Sequence, residues 1–504
     1  MRTLDLVVIA AYLGGILSLG LACAPRSRSL TGFTTASGSL PTWAVGLSLF
    51  GTFLSSNTFL GVPGKAFDEN WSSFVFSLSL PFAAAVAVRT FVPFYRGGGH
   101  LSAYAHLERR FGRWARTYGM FCYLLTQLAR VGSILFGVAL VVGPLTGWSP
   151  VAIIIGTGVL VTVYTLVGGI EAVVWTDVVQ SFVLGGGALF ALVWVVAATP
   201  GGLAHLASEA IAENKVGLGG FGLQLDRATF WVVLAYGLLI NLNNFGIDQS
   251  FVQRYHAATS TREAGRSVWL AAFLYVPVSL LFFVLGTALW AYYRADPAAM
   301  ADLAQGVAGT ESGELPTLGD RALPHFIAHY LPPGFSGVLV AALIAAAMSS
   351  IDTSLNSSAT VLHEDFYRSY LRPQPSPEGS LRILRGGTML VGAAGVAVAL
   401  AMLDVRSLLD AWWTLSGAFA GGLLGLFLLG LLARHADRLA AAIGTAVGVV
   451  AILWLTLSPR LEGELAFLRN PLHANLTIVV GTLVIFGVGV AVTRLRRSAR
   501  RLSS

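Results

Sequence analysis

The chain has 504 residues, 55% of them hydrophobic and 11% charged, with a mean hydropathy of +0.72; a soluble protein carries roughly 25% charged residues, so an ordinary soluble globular class is excluded. The net charge of +7 and pI near 9.6 do not mark a nucleic-acid binder, because the basic residues are sorted by loop. Two cysteines, Cys23 and Cys122, leave no disulfide framework or thiolate metal site, and redox chemistry is not expected.

Apolar runs of about 20 residues, the length that crosses ~30 Å of hydrocarbon, recur along the whole chain. They lie at 3 to 23, 41 to 64, 71 to 95, 117 to 144, 150 to 170, 175 to 198, 228 to 250, 267 to 292, 335 to 360, 386 to 403, 408 to 433, 436 to 457 and 474 to 493. The expected class is an all-α integral membrane protein with about thirteen transmembrane helices. The first run is too long for a signal-peptide core and its "MRTLD" start is weakly basic, so it is read as a span. The longest loop, Tyr292 to Pro333, has only about 40 residues, and the tail after residue 493 about 11; both are too short for a further domain.

The arginines set the topology. Arg26 and Arg28, Arg96 to Arg116, Arg254, Arg262 and Arg266, Arg368 to Arg385, Arg434 and Arg438, and the tail "RLRRSARRLSS" fall on one side. The 292 to 333 loop opposite is acidic, with Asp296, Asp302, Glu311, Glu314 and Asp320. The positive-inside rule therefore predicts a multi-pass protein of the cell inner (plasma) membrane with the C-terminus cytoplasmic and the N-terminus outside.

The second run contains "FGTFLSSNTFLGVPGKAF", residues 50 to 67. Ser55 to Thr58 are polar, and Gly61, Pro63 and Gly64 are expected to weaken the helix. Irregular backbone inside hydrocarbon survives only where it lines a cavity or is buried by neighbours, and carbonyls released there are oxygen ligands for a small hard cation. The seventh run has a comparable fault in "LLINLNNFGIDQSFVQRY", where Asn241, Asn243, Asn244 and Gly246 interrupt it. The faults lie five spans apart, an odd number, so the second unit enters the membrane from the opposite side. Such paired interruptions point to an inverted-repeat transporter with a midplane site, whereas either alone could be a packing kink.

In the ninth run, "AALIAAAMSSIDTSLNSSATVLHEDFY", small residues precede a stripe formed by Ser349, Thr353 and Asn356, with Ser350, Ser354 and Ser357 alongside. The Ser349 and Ser350 hydroxyls with carbonyls of Gly51 and Leu54 would form an all-oxygen cage suited to Na⁺. For Ser354, Ser357 and Ser358 back-bonding to the helix is the plainer reading. Asp352 is an ionisable group within a span and hence a functional candidate. Arg130 lies ~20 Å along its helix, and needs an internal carboxylate or an anionic ligand that its fork would hold. Asp177 is either a helix N-terminal acid or a second cation ligand. His363, Glu364 and Asp365 are consecutive, point in different directions and read as a helix end at the interface; Trp412 and Trp413 read as interface anchors.

"FLGVPGKAF", "GGIEAVVWTDVVQ", "DQSFVQRYHAA" and "AAAMSSIDTSLNSSATVLHEDFY" together resemble the sodium/solute symporter family, over nearly the whole chain. The resemblance implies a LeuT-like fold. Residues 1–30 would form an extra N-terminal helix, 41–200 and 228–433 two inverted five-helix repeats, and 434–504 two further helices and a basic tail. It also implies a main sodium site of backbone oxygens at Gly51, Leu54 and Ala346 with the Ser349 and Ser350 hydroxyls; Gly51 replaces the more usual Ala. A second sodium site would use Asp177 and Thr353, with Asp352 standing where a hydroxyl is expected. The binding positions are nearest those of bacterial sialic-acid transporters: Arg130 for a carboxylate, with Ser55 and Thr58. Ser73 and Ser77 depart from that branch, which has an aromatic ring and a glutamine there. Asn241 and Asn244 would close the opposite wall.

The expected function is Na⁺-coupled import of a small anionic solute, sialic acid or a related acidic sugar, with a neutral sugar, monocarboxylate or amino acid as the alternative. Na⁺ is the expected coupling ion, the lipid bilayer the expected surroundings, and neither nucleic acid nor a protein partner is expected. A channel would need a continuous polar pore rather than two local faults, and an enzyme would need a catalytic constellation.

Overall fold

The structure is a computed structural model that describes residues 2–305, 317–404 and 422–502. Ten of its helices are long and apolar enough to cross a membrane, and eleven when the bent pair in the second run counts as one span. The helix Pro150–Ala198 has 49 residues and would run ~74 Å if straight, more than twice the hydrocarbon thickness. Gly169 divides it: its φ of 57° and ψ of −152° are non-helical, and a Cβ there would lie 2.7 Å from the Phe33 carbonyl oxygen. Counted as two, it supplies the expected fifth and sixth spans. Gly422–Leu432 is the described end of the run expected at 408 to 433; Trp412 and Trp413 lie outside the described residues. Among its described residues the 292 to 333 loop holds two short helices, Pro297–Gln305 and Leu318–His329; Glu311 and Glu314 lie outside the described residues.

The second span breaks, but not where its glycines and proline were expected to break it. Helix Thr42–Phe53 ends in extended backbone at Leu54 (ψ 119°) and Ser55 (ψ 172°), and the chain resumes as Ser56–Asp68, bent by 54°. Ser55 starts the second half as its N-cap, accepting the Thr58 N–H at 3.4 Å, while the Thr58 hydroxyl accepts the Ser55 N–H at 3.4 Å. Gly61, Pro63 and Gly64 are helical. Their use is close packing: a Cβ on Gly286 would lie 2.2 Å from the Pro63 oxygen, and one on Gly319 would lie 2.1 Å from the Gly64 oxygen.

The seventh span also breaks away from the expected place, here later along the chain. Asn241, Asn243, Asn244 and Gly246 are all within helix Phe230–Ile247. The interruption is at Asp248 (ψ 120°), which caps Gln249–Ala257 by accepting the Ser250 N–H at 2.8 Å. An acid as N-cap satisfies a donor that the new helix cannot satisfy itself.

The two breaks meet through aromatic rings. Phe53 packs edge-on against Phe245 at 5.5 Å and Phe251 at 5.0 Å, the residues that flank Asp248, and lies 5.5 Å from Tyr275 of helix Thr261–Ala295. The ninth span, beginning as helix Phe335–Val361, runs through the centre; 94% of its apolar window is buried, because its alanines and serines let neighbouring backbones approach.

Candidate functional site

The carbonyls at the end of Thr42–Phe53 have lost their helical partners, and the structure records where three of these oxygens turn. The Gly51 oxygen accepts the Leu54 N–H at 3.0 Å. Thr52 accepts Arg130 Nη2 at 3.0 Å. The Leu54 oxygen faces the Ser350 hydroxyl at 3.5 Å. That last distance is long for a hydrogen bond, but close to the spacing of neighbouring oxygens around a cation with metal–oxygen distances of about 2.3–2.6 Å. Ser349 lies beside it, its Oγ 3.2 Å from where a Gly51 Cβ would be, and Ala346 is buried one turn before Ser350. The oxygens here are neutral carbonyls and hydroxyls, a donor set that suits a hard monovalent cation.

Behind this pair lies a buried charge cluster. The Ser349 hydroxyl donates to Asp177 Oδ1 at 2.5 Å, which directs its lone pairs away from the carboxylate. Asp177 Oδ2 accepts from Ser48 at 2.5 Å and from Arg254 Nη2 at 2.9 Å. Arg254 Nη2 also donates to Thr353 Oγ1 at 2.7 Å, Nε to Ser48 Oγ at 2.7 Å and Nη1 to the Ser250 oxygen at 2.9 Å. Asp177 is therefore no helix-end acid; it lies two turns beyond Gly169 and is fully buried. Arg254, counted among the cytoplasmic loop arginines from sequence, is 1% exposed.

Asp177, Thr353 and Asp352 were expected to share a second sodium site, and the structure divides them. A guanidinium bridges the first two. Asp352 turns instead to Tyr164 OH at 2.6 Å and Thr176 Oγ1 at 3.2 Å, as neighbours one residue apart on a helix must point about 100° apart.

A cavity of about 280 Å³ opens beside the break, lined by Thr52, Phe53, Thr58, Phe76, Arg130, Asn244, Phe251 and Tyr275. Arg130 is half-buried, and among the described residues no carboxylate pairs with it. With one donor on the Thr52 oxygen, the rest of its fork is available to the cavity. Ser55 caps its helix just beside the lining residues, and Thr58 and Asn244 are among them. Besides Ser55, three further expected residues do not line it: Ser73 is half-buried on the third span, the Ser77 hydroxyl bonds Ser279 Oγ at 2.7 Å, and the buried Asn241 Nδ2 donates to Ser79 Oγ at 3.0 Å. Phe76 faces the cavity from the third span instead.

Of the stripe residues, Ser354 and Ser357 bond back to the oxygens of Ser350 and Thr353 at 2.8 and 2.6 Å, whereas the buried Ser358 hydroxyl does not. His363, Glu364 and Asp365 are buried rather than interfacial; Asp365 accepts Arg116 Nε at 2.6 Å and Ser102 at 2.5 Å. Sequence reasoning missed Arg254, Phe53, Phe251 and Tyr275. For Arg254 a signal existed: in "DQSFVQRY" it stands one turn and a half after the capping Asp248, on a segment too short to carry it out of the protein.

The profile of the sodium:solute symporter family matches residues 33–448. A sodium/sialic acid symporter of Proteus mirabilis is 30% identical over 95% of this chain and 94% of its own, and one of Aliivibrio fischeri is 31% identical over 95% and 92%. The human sodium-coupled monocarboxylate transporter 1 is 27% identical over 86% of this chain and 69% of its own. The solved structure of a substrate-bound, outward-open Na⁺-coupled sialic acid symporter superposes with a TM-score of 0.89 at 28% identity, covering 98% of both chains. A nucleobase–cation symporter in a closed conformation, at 14% identity and a TM-score of 0.56 over 92% of this chain and 94% of that one, shares the LeuT-like fold alone.

Proposed function

This chain belongs to the sodium:solute symporter family, with Na⁺ as its coupling ion, and on that premise we propose that it imports a carboxylate solute, sialic acid being the first candidate. The observation that carries the reading is Arg130: a guanidinium on the cavity wall with no carboxylate partner among the described residues. A cation so placed calls for an anionic ligand, and its planar fork matches a carboxylate. The names of the two bacterial relatives agree with that class.

In this reading Na⁺ enters between the Leu54, Gly51 and Ala346 oxygens and the Ser349 and Ser350 hydroxyls. It fastens the broken second span to the ninth helix and thereby shapes the adjoining cavity, because Thr52 and Phe53 are common to both. The solute carboxylate meets Arg130, while Thr58 and Asn244 hold its polar body and the aromatic rings its apolar face. Arg254 stands where a second sodium would bridge Asp177 and Thr353, so a single Na⁺ suffices. Coupling follows if each ligand favours the same state, and then each must tighten the other reciprocally. The membrane potential contributes about 2.3 kcal/mol per charge per 100 mV. The arginine-rich loops support a cytoplasmic C-terminus and an outer N-terminus, and the breaks five spans apart support inverted repeats over 41–200 and 228–433.

A smaller monocarboxylate is the second reading. It draws on the cavity's size and on its four aromatic residues, Phe53, Phe76, Phe251 and Tyr275, which suit an apolar body better than a polyhydroxylated one. Uptake into proteoliposomes with and without an inward Na⁺ gradient, across sialic acid, short monocarboxylates and neutral sugars, distinguishes them. Na⁺-dependent uptake of a neutral sugar that persists in Arg130→Ala would overturn the carboxylate reading.

A further inference from the structure

Helices Pro297–Gln305 and Leu318–His329 join the eighth and ninth spans on the face opposite the arginine-rich loops. Between them Asp302, His325 and His329 bring one ligand atom each to within 4.8 Å of one another. The two histidines are four residues apart on one helix face, and their rings stack at 4.5 Å. His325 Nε2 faces Asp302 Oδ2 at 3.2 Å. Its Nδ1 is engaged by the Tyr293 hydroxyl at 2.8 Å, and that hydroxyl also reaches the Ala322 oxygen at 3.3 Å.

We propose that Asp302, His325 and His329 form an outer-face site for a divalent transition metal of the Zn²⁺ type, and that metal bound there restrains helix Leu318–His329 and slows transport. Two imidazoles and one carboxylate form a donor set that borderline metals take with a fourth position open to water. Tyr293 supplies the outer hydrogen bond that fixes the tautomer and ring plane of a metal-binding histidine. His325, 13% exposed, is the fixed post; Asp302 is 55% exposed and His329 exposed, so both are free to close the present spread to the about 3.4 Å that tetrahedral ligands at 2.0–2.1 Å require.

The consequence for transport comes from what the helix rests on. Its Gly319 N–H donates to Asp68 Oδ1 at 3.0 Å, and Gly319 sits against the Gly64 oxygen so closely that no Cβ would fit. Helix Leu318–His329 therefore rides on the second half of the broken second span, and a metal would tie it to the segment that continues the eighth span. The metal site itself does not depend on the solute reading, since its binding arm needs no transport.

Titration of Zn²⁺ alone into tag-free, metal-stripped protein by calorimetry tests this. Single-site binding is expected, weakened in His329→Ala and Asp302→Asn by at least the about 10- to 100-fold that loss of even an outer-shell partner costs, and unchanged in His435→Ala, an exposed histidine beside Arg434 on an arginine-bearing loop. Mg²⁺ should not compete, since it prefers an octahedral oxygen shell. External Zn²⁺ should slow Na⁺-driven uptake in the parent and leave His329→Ala, whose metal-free uptake matches the parent, unaffected. Zn²⁺ binding to His329→Ala and Asp302→Asn within twofold of the parent overturns the site; binding lost in these variants with parental uptake indifferent to Zn²⁺ overturns the restraint.

Discussion

Arg254 Nη2 and Asp177 Oδ2 lie 2.9 Å apart with 1% and 0% of their side chains exposed, a buried ion pair joining the segment after the seventh-span break to the sixth span. Removing one partner leaves an uncompensated charge, which costs about 3–5 kcal/mol. Arg254→Ala and Asp177→Asn should each lower the unfolding temperature in detergent, and the double variant should lose less than their sum. If Arg254 stands in for a sodium, Arg254→Ala leaves Asp177, Ser48, Ser349 and Thr353 as an all-oxygen pocket with one negative charge. Na⁺, and not choline, should then restore stability, by about 2.7 kcal/mol at a hundred times its dissociation constant. Equal stabilisation of parent and variant by Na⁺ would refute the substitution of guanidinium for ion.

The Ser350 hydroxyl, 3.5 Å from the Leu54 oxygen, can be removed without touching the ion pair. Ser350→Ala should raise the Na⁺ concentration for half-maximal uptake about tenfold, equivalent to about 1.4 kcal/mol of lost binding. The rate at saturating Na⁺ should stay near that of the parent. Ser349→Ala removes a donor to Asp177 as well and should also destabilise the fold, so the two serines separate ion binding from charge support.

At Arg130 the chemistry of the fork decides. Arg130→Lys keeps the charge but loses the planar pair of donors, and the apparent affinity for the carboxylate solute should fall about tenfold. In Arg130→Ala the loss of a charge-assisted pair, about 3 kcal/mol, corresponds to more than a hundredfold. Thermal stabilisation by Na⁺ alone should be the same in all three proteins. A parallel loss of the Na⁺ effect would mean that Arg130 supports the break through the Thr52 oxygen rather than holding the solute.

Most of the spans were legible in hydropathy because each must carry its own hydrogen bonds across hydrocarbon, which leaves long apolar runs. That both the second and seventh spans break was also legible, from polar residues where apolar ones belong. The break points were not. Ser55 and Asp248 begin new helices because their side chains cap them, whereas Gly61, Pro63, Gly64 and Gly246, the stronger breakers by propensity, remain helical under tertiary packing. Arg254 was hidden for a related reason: an arginine near a cytoplasmic span end reads as a topology signal until its buried carboxylate, 77 residues earlier in sequence, is seen beside it. Phe76 in place of Ser73 and Ser77 follows from the phase of a span wound through short 3-10 and α-helical turns, a phase that residue spacing alone does not fix.

Gly61 and Gly286 give opposite expectations for the same half-span. A Cβ on Gly61 would meet nothing within 4 Å, whereas one on Gly286 would lie 2.2 Å from the Pro63 oxygen, 2.7 Å from its Cα and 2.8 Å from Ala66 Cβ. Gly61→Ala should therefore be neutral or stabilise helix Ser56–Asp68 by about 0.5–1 kcal/mol. Gly286→Ala should cost about 1–3 kcal/mol as an overpacked contact, and it should do more than destabilise. The displaced Pro63 belongs to the helix that Ser55 and Thr58 cap, so the push reaches the Leu54–Ser350 gap, and Na⁺ affinity should fall together with the unfolding temperature. Thermal unfolding and Na⁺-titrated uptake on both variants check this; a Gly286→Ala protein with parental Na⁺ dependence would show that the second half of the span moves independently of the ion site.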